Sequence, residues 1–248
     1  MIPDCETQDS LTLAEGVRYP GQDYPIYEMW EGMKGKIWIL HSAWNKRRFF
    51  AELANEAEGT QSPVRKRLAR LNVTPRQVSA VLGTVAKYGN FATEGDMIAL
   101  DHVLSILRCL YPSEEIQFLN SWHLGQGLAD LAANPTFEEI KHDNIVLLCG
   151  PTANLATAFF LKALGLDWLF DGHTILTSPD GTRLKPEGDI YESKLCADYG
   201  VFLRARNPFD SSKRIYAVMG AYAFGTQGAA AFGCSEDSVA ELMSSVQD

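Results

Sequence analysis

The chain lacks cysteine pairs. Its five cysteines, Cys5, Cys109, Cys149, Cys196 and Cys234, are isolated and odd in number, with no Cys-x-x-Cys spacing. This argues against a disulfide framework and a structural zinc site, and fits reduced thiols in a cytoplasmic protein. Long apolar runs are missing too. None approaches the roughly 20 residues that span a bilayer, and no membrane association is expected. The opening residues, Met1-Ile-Pro-Asp-Cys-Glu-Thr-Gln-Asp9, are acidic and polar, without the basic and apolar regions of a secretory signal. Histidine is sparse. His41, His102, His123, His142 and His173 are scattered, so no metal site is expected. Gly-x-Ser-x-Gly, Walker and Gly-x-Gly-x-x-Gly patterns are all absent. Motifs therefore assign no catalytic residue and no cofactor, and leave open whether any reaction is catalysed.

Of the 248 residues, 46% are hydrophobic, enough to bury a sizeable core. The net charge of −9 argues against a wholesale nucleic-acid coat. That charge is uneven. Between Trp44 and Asn90, Lys46, Arg47, Arg48, Arg65, Lys66, Arg67, Arg70, Arg76 and Lys87 face only Glu52, Glu56 and Glu58. The window is about +6 and the remainder about −15. It reads either as a polyanion-facing segment or as a solvated basic face.

Residues 1–35 are broken by Gly16, Pro20, Gly21 and Pro25. Their aromatics Tyr19, Tyr24, Tyr27 and Trp30 suggest an arm packed on something larger. Lys36 to Leu40 reads as a short strand and Asn45 to Ala57 as a helix. Ser62-Pro63 and Thr74-Pro75-Arg76-Gln77 are helix-start signals. Thr93 caps a further helix with Met97, Leu100, Leu104 and Leu107 on its core face. Pro112-Ser-Glu-Glu115 opens another through Ile116, Leu119, Trp122, Leu124 and Leu128. Three parts are expected: an arm and strand–helix segment over 1–61, a helical module over 62–133, and an α/β domain over 141–248.

The most informative stretch is Asn144-Ile-Val-Leu-Leu-Cys-Gly-Pro-Thr-Ala-Asn154, read as buried strand, tight turn and helix start. A second strand, Arg214 to Met219, runs into Gly220-x4-Gly225-Thr226-Gln227-Gly228 and another helix. In an open parallel sheet such turns lie at the carboxyl ends of strands, where ligands bind. The helix starts would direct N–H groups at an anion such as phosphate. The candidate ligand-binding residues are Gly150, Thr152, Asn154, Glu192, Gly225, Thr226 and Gln227. Close helix-on-strand packing also selects glycine at such turns. Asp171, Asp189, Glu192 and Asp198 are candidate carboxylates for ribose binding, general-base or nucleophilic work. Arg204 and Arg206 suit either a phosphate or an acidic partner. A buried inert thiol is the default for Cys149, and helix packing for His123.

Arg67-Leu-Ala-Arg-Leu-Asn-Val-Thr-Pro-Arg-Gln-Val-Ser-Ala-Val-Leu82, followed by Leu100 to Leu110, resembles a phage-repressor-type helix-turn-helix domain over about residues 62–122. The resemblance implies DNA contact by the second helix of the motif, through Arg65, Lys66, Arg76, Gln77 and Ser79. Cys149-Gly-Pro-Thr-Ala-Asn154, Asp198-Tyr-Gly200, Asn207-Pro-Phe209 and Gly225-Thr-x-x-Ala-Ala230 resemble Rossmann-like domains that accompany helix-turn-helix modules. The expected fold is thus α/β, a mostly helical N-terminal module followed by a small Rossmann-like parallel sheet. The expected function is a cytoplasmic sensor or regulator. It would bind a nucleotide or phosphorylated metabolite, contact DNA or a protein through the helical module, and form a homodimer. The alternative is a nucleotide or nucleoside glycosidase or transferase using a crevice carboxylate.

Overall fold

A computed structural model describes residues 25–42, 94–189 and 194–246. The fold is α/β. Its main sheet has the order β2-β1-β3-β10-β9. These strands are Ile116–Asn120 (β2), Ile37–His41 (β1), Asn144–Leu148 (β3), Arg214–Gly220 (β10) and Gly200–Arg206 (β9). The first four run parallel and β9 runs antiparallel to β10. The sheet is therefore mixed, where a parallel one was expected. All five residues of β3 are buried, as are the last six of β10. A parallel strand covered on both faces requires such a continuous apolar run.

Alternate side chains feed two cores. Ile37, Ile39, Val146, Leu148, Tyr216 and Val218 point to one face. It is covered by Pro25–Met29 (α1), Glu94–Leu110 (α2), Ala223–Gly233 (α6) and Glu236–Val246 (α7). Leu40, Ile145, Leu147, Ile215, Ala217 and Met219 point to the other. There lie Leu128–Ala132 (α3), Pro135–Ile140 (α4) and Leu155–Ala163 (α5). Truncating a fully buried Leu or Ile in either layer costs about 2–5 kcal/mol. Small antiparallel pairings decorate the α5–β9 connection: Phe170–Asp171 (β4), Thr174–Leu176 (β5) and Arg183–Leu184 (β6) in one group, Glu187–Asp189 (β7) and Lys194–Ala197 (β8) in another.

Two expectations are corrected. The stretch opened by Pro112 is not a helix through Leu128. It forms edge strand β2, paired in register with β1 from Ile37↔Ile116 to His41↔Asn120, then a 3-10 turn at Ser121–His123. Gly125 and Gly127 interrupt any longer helix there. Helix α2 forms as expected, with Leu107 buried and Leu100 and Leu104 packed against the core; Ala99, Val103 and Ile106 join them, but Met97, expected on this face, is 51% exposed. The sheet thus draws β1 and β2 from the ranges read as arm segment and helical module. The Leu100–Leu110 stretch of the repressor resemblance lies within α2, on this sheet. Arg65, Lys66, Arg76, Gln77 and Ser79 fall outside the described residues.

The aromatic expectation for the arm holds at Trp30. It is fully buried, stacks on Tyr216 at 4.6 Å between ring centroids, and donates its indole N–H to Gly233 O at 2.7 Å. Tyr19 and Tyr24 lie outside the described residues. Among the described residues, no helix is long and apolar enough to cross a membrane.

Candidate functional site

Strands β3 and β10 are neighbours, so the two glycine turns do lie side by side at the carboxyl edge of the sheet. What fills them differs from expectation. A Cβ on Gly150 would come within 2.5 Å of Gly220 O. One on Gly225 would collide with the carbonyl of Tyr199, and one on Gly200 with that of Gly225. These glycines serve close backbone packing of β9, β10 and α6.

The helix starts are also occupied. Asp198 Oδ1 accepts from Tyr199 N at 2.8 Å and Tyr222 N at 3.2 Å, and Oδ2 accepts from Gly225 N at 2.5 Å. A resident carboxylate thus sits where a phosphate was expected, at the positive end of α6. At α5 the cap is Asn154, which is fully buried. Its Oδ1 accepts from Ala156 N and Thr157 N, and its Nδ2 donates to Leu40 O at 2.8 Å and Leu148 O at 2.7 Å. Two acceptor sites and two donors are then all used. Asn154 pins β1 to β3 and has no bond left for a ligand.

The remaining candidates are dispersed. Thr152 is exposed and donates to Gly172 O at 3.2 Å. Thr226 is buried, its hydroxyl 3.4 Å from Tyr222 O, and Gln227 is half-buried beside it. The β4–β5 hairpin covers both turns. Its His173 Nδ1 donates to Ala221 O at 2.6 Å and its ring stacks on Tyr222. Asp171 is exposed and ion-paired with Arg183. Arg204 pairs with Glu31 at 3.1 Å. It stands opposite Tyr216, and Arg206 opposite Arg214, towards the amino edge of the sheet. Neither arginine serves a carboxyl-edge ligand. Glu192 lies outside the described residues.

A different cluster occupies the carboxyl edge one strand over. The chain passes from β1 to β2 on one side, then to β3 on the other. The β1–β3 boundary is therefore a topological switch point, the place where open α/β sheets bind ligands. His41 ends β1 and Ser42 follows it. His41 pairs with Asn120, and Ser42 and Ser121 are the residues that follow this last pair in the two strands. His123 closes the 3-10 turn. Cys149 ends β3. Asp96 arrives from the first turn of α2, where Gly95 lets the helix press against the Ala223 carbonyl of α6.

The electrostatics tie these groups together. Burial lowers the His41 pKa below its ordinary 6.5. The charge of His123 lowers it further and that of Asp96 opposes this. Burial pushes the Cys149 thiol far above its ordinary 9.0, and the Asp96 charge adds to that, while Ser42 works against it. Such a thiol is protonated at neutral pH and is no nucleophile, as its default assignment held. Ser42 Oγ and Ser121 Oγ are both buried without a hydrogen-bond partner among the described residues. Buried hydroxyls in that state are costly, by about 1–3 kcal/mol each.

Cys149 is also the one non-glycine residue with positive φ, +79°, among the described residues. That conformation costs about 1–3 kcal/mol. It is held by Cys149 N donating to Val218 O and Thr157 Oγ1 donating to Cys149 O, both at 3.0 Å. The turn swings Cys149 into the same core as Leu148 and so breaks the alternation of β3. Among the described residues, no group of His, Cys, Asp and Glu has the arrangement of a metal site.

His41, Ser42, Asp96 and Ser121 were not singled out from the sequence. Their signal is only positional, a polar residue directly after an apolar run, and it becomes readable once the strand order is known. Comparison of the chain with protein-family models, characterised proteins and solved structures finds no match.

Proposed function

We propose that the protein is a sensor or regulator that binds a nucleotide-class metabolite at the β1–β3 switch point. The supporting observation is a pair of buried hydroxyls at the carboxyl edge, Ser42 and Ser121, neither with a hydrogen-bond partner among the described residues, with His41 and Asp96 close to each other at the same edge. Buried polar groups are nearly always hydrogen-bonded, and a ligand would satisfy both. The two glycine turns support this reading only as walls, since Asp198 and Asn154 occupy their N–H groups. In this proposal Arg65, Lys66, Arg76, Gln77 and Ser79 make the DNA or protein contact, and the assembly is a homodimer in the cytoplasm.

A thermal-shift screen against nucleotides tests the binding half. A ligand at 100 times its Kd adds about 2.7 kcal/mol, which raises Tm by about 5 °C or more in a chain of this size. The shift should shrink in Asp96→Asn. A flat screen with well-folded protein would remove the reading.

The second reading is a nucleotide or nucleoside glycosidase or transferase. Asp96 favours it, a half-buried carboxylate at the carboxyl edge, close enough to His41 to act on its charge. It would stabilise a developing positive charge on the sugar or activate water. Base release from a nucleotide, abolished by Asp96→Asn, is the expected result. Turnover unchanged in that variant would exclude this carboxylate.

A further inference from the structure

We propose that the amino edge of the sheet carries an anion site of its own, in which Arg206 and Arg214 grip a phosphate monoester. It lies at the opposite end of the strands from the switch point, about 20 Å along the seven residues of β10. It does not depend on the binding reading above.

Arg206 and Arg214 are direct cross-strand partners in the β9–β10 pairing. Such partners present their side chains on one face, with Cβ atoms about 5 Å apart, and like charges there destabilise the sheet. Neither arginine has an ion pair among the described residues. Acidic residues outnumber lysine and arginine by 31 to 22 in this chain, so composition does not explain the missing counter-ion. Four other cations of this edge have an acidic partner or neighbour. Arg204 pairs with Glu31 at 3.1 Å, Lys141 with Glu138 at 2.8 Å and Lys36 with Glu115 at 3.9 Å. Lys213 faces the charge of Asp210 and donates from Nζ to Lys34 O at 3.2 Å. Lys34 itself is exposed in the turn before β1. Two further carboxylates are engaged elsewhere. Glu114 accepts from Gly35 N at 2.9 Å, and Asp143 accepts from Trp38 Nε1 at 3.1 Å.

Arg214 is also seated. A Cβ on Gly32 would come within 3.2 Å of Arg214 Nε and 3.6 Å of its Cζ, so this half-buried guanidinium lies against bare backbone. Gly32 has φ +88°, a conformation that favours glycine. Arg206 is exposed on the edge strand and can close on a ligand from the other side. Two planar forks of N–H donors suit the oxygens of a tetrahedral anion. A phosphate monoester carries about −1.5 to −2 charges at pH 7, which matches two guanidinium charges. A carboxylate cancels only one of them.

The test is a phosphorus NMR line-broadening titration of the full chain at constant ionic strength, with inorganic phosphate, glucose 6-phosphate and phosphoserine as probes. At least one should bind saturably. Its binding should weaken as pH falls through about 6, where the second phosphate proton returns. Arg206→Gln and Arg214→Gln should each weaken it by at least about tenfold. Arg206 is exposed, so its variant decides the matter should Arg214→Gln fail to fold. Tightest binding of inorganic phosphate would identify the free ion as the occupant. Preference for glucose 6-phosphate would identify a phosphorylated metabolite, and preference for phosphoserine a phosphorylated side chain. No saturable binding by any probe, equal displacement by acetate, or an affinity unchanged in Arg206→Gln would overturn the proposal and leave the switch-point reading untouched.

Discussion

Buried asparagines hold this fold where strands meet loops. Asn144 donates to Lys34 O and accepts from Arg214 N, linking the amino ends of β3 and β10 to the chain before β1. Asn207 donates to Lys141 O and Asp143 O, each at 2.8 Å, and accepts from Phe209 N. Asn154 does the same at the carboxyl end. Asn154→Ala removes a helix cap and strands the carbonyls of Leu40 and Leu148, so a loss of about 3 kcal/mol is expected in chemical denaturation. Asn154→Asp keeps the cap but sets a carboxylate oxygen against those carbonyls, and should be destabilised as well. If Asn154→Ala were as stable as the parent, the pinning role would be wrong. The cysteines offer a second check at this scale. Cys196 is exposed, whereas Cys149 and Cys234 are buried, with burial pushing Cys234 up to about 12. In the native state Cys196 should alkylate rapidly, and Cys149 and Cys234 only on unfolding.

At the scale of elements, the glycines decide how closely α6 can approach β9 and β10. Gly225→Ala and Gly200→Ala each place a Cβ inside a backbone carbonyl of the neighbouring element. Each should lose about 3 kcal/mol or more, or fail to accumulate as folded protein. Gly228 has open space around it, so Gly228→Ala should gain about 0.5–1 kcal/mol in its mid-helix position. Thermal melts of the three variants side by side would expose an error in the packing of α6. This same level shows what was legible in the sequence. Strands β1, β3 and β10 follow from apolar runs bounded by turn residues, and α5 from its Asn cap and apolar face. Strand β2 was unreadable because Ile116-Gln-Phe-Leu-Asn120 is short and half-buried, and fits a helical period as well as an edge strand. The glycine turns were legible as turns. That Asp198 would fill one of them was not, since it sits 27 residues before Gly225 and reaches it only through the β9–β10 pairing.

For the whole molecule, stability should fall on both sides of neutrality for separable reasons. His41 has a folded pKa below its ordinary 6.5. The unfolded chain therefore binds more protons between the two values, and stability falls as pH drops below 6.5 towards the folded pKa. On the alkaline side, burial raises Cys149, Cys234 and Tyr216 above their ordinary 9.0, 9.0 and 10.0. These groups ionise first in the unfolded chain, so stability falls as pH rises past 9. Denaturant midpoints from pH 5 to 10 should trace a dome. His41→Gln should flatten its acid shoulder and leave the alkaline one. An acid shoulder unchanged in that variant would mean that other groups carry it.

The most direct test of the binding site is peptide-level hydrogen exchange of the full chain with and without the nucleotide panel. Ligand at the switch point should slow exchange in the segments carrying Leu40–Ser42, Gly95–Met97, Asn120–His123 and Cys149–Ala153. The turn over 220–228, already closed by Asp198, should be unchanged. Protection confined to 220–228, or none in any segment, would contradict a ligand site between β1 and β3.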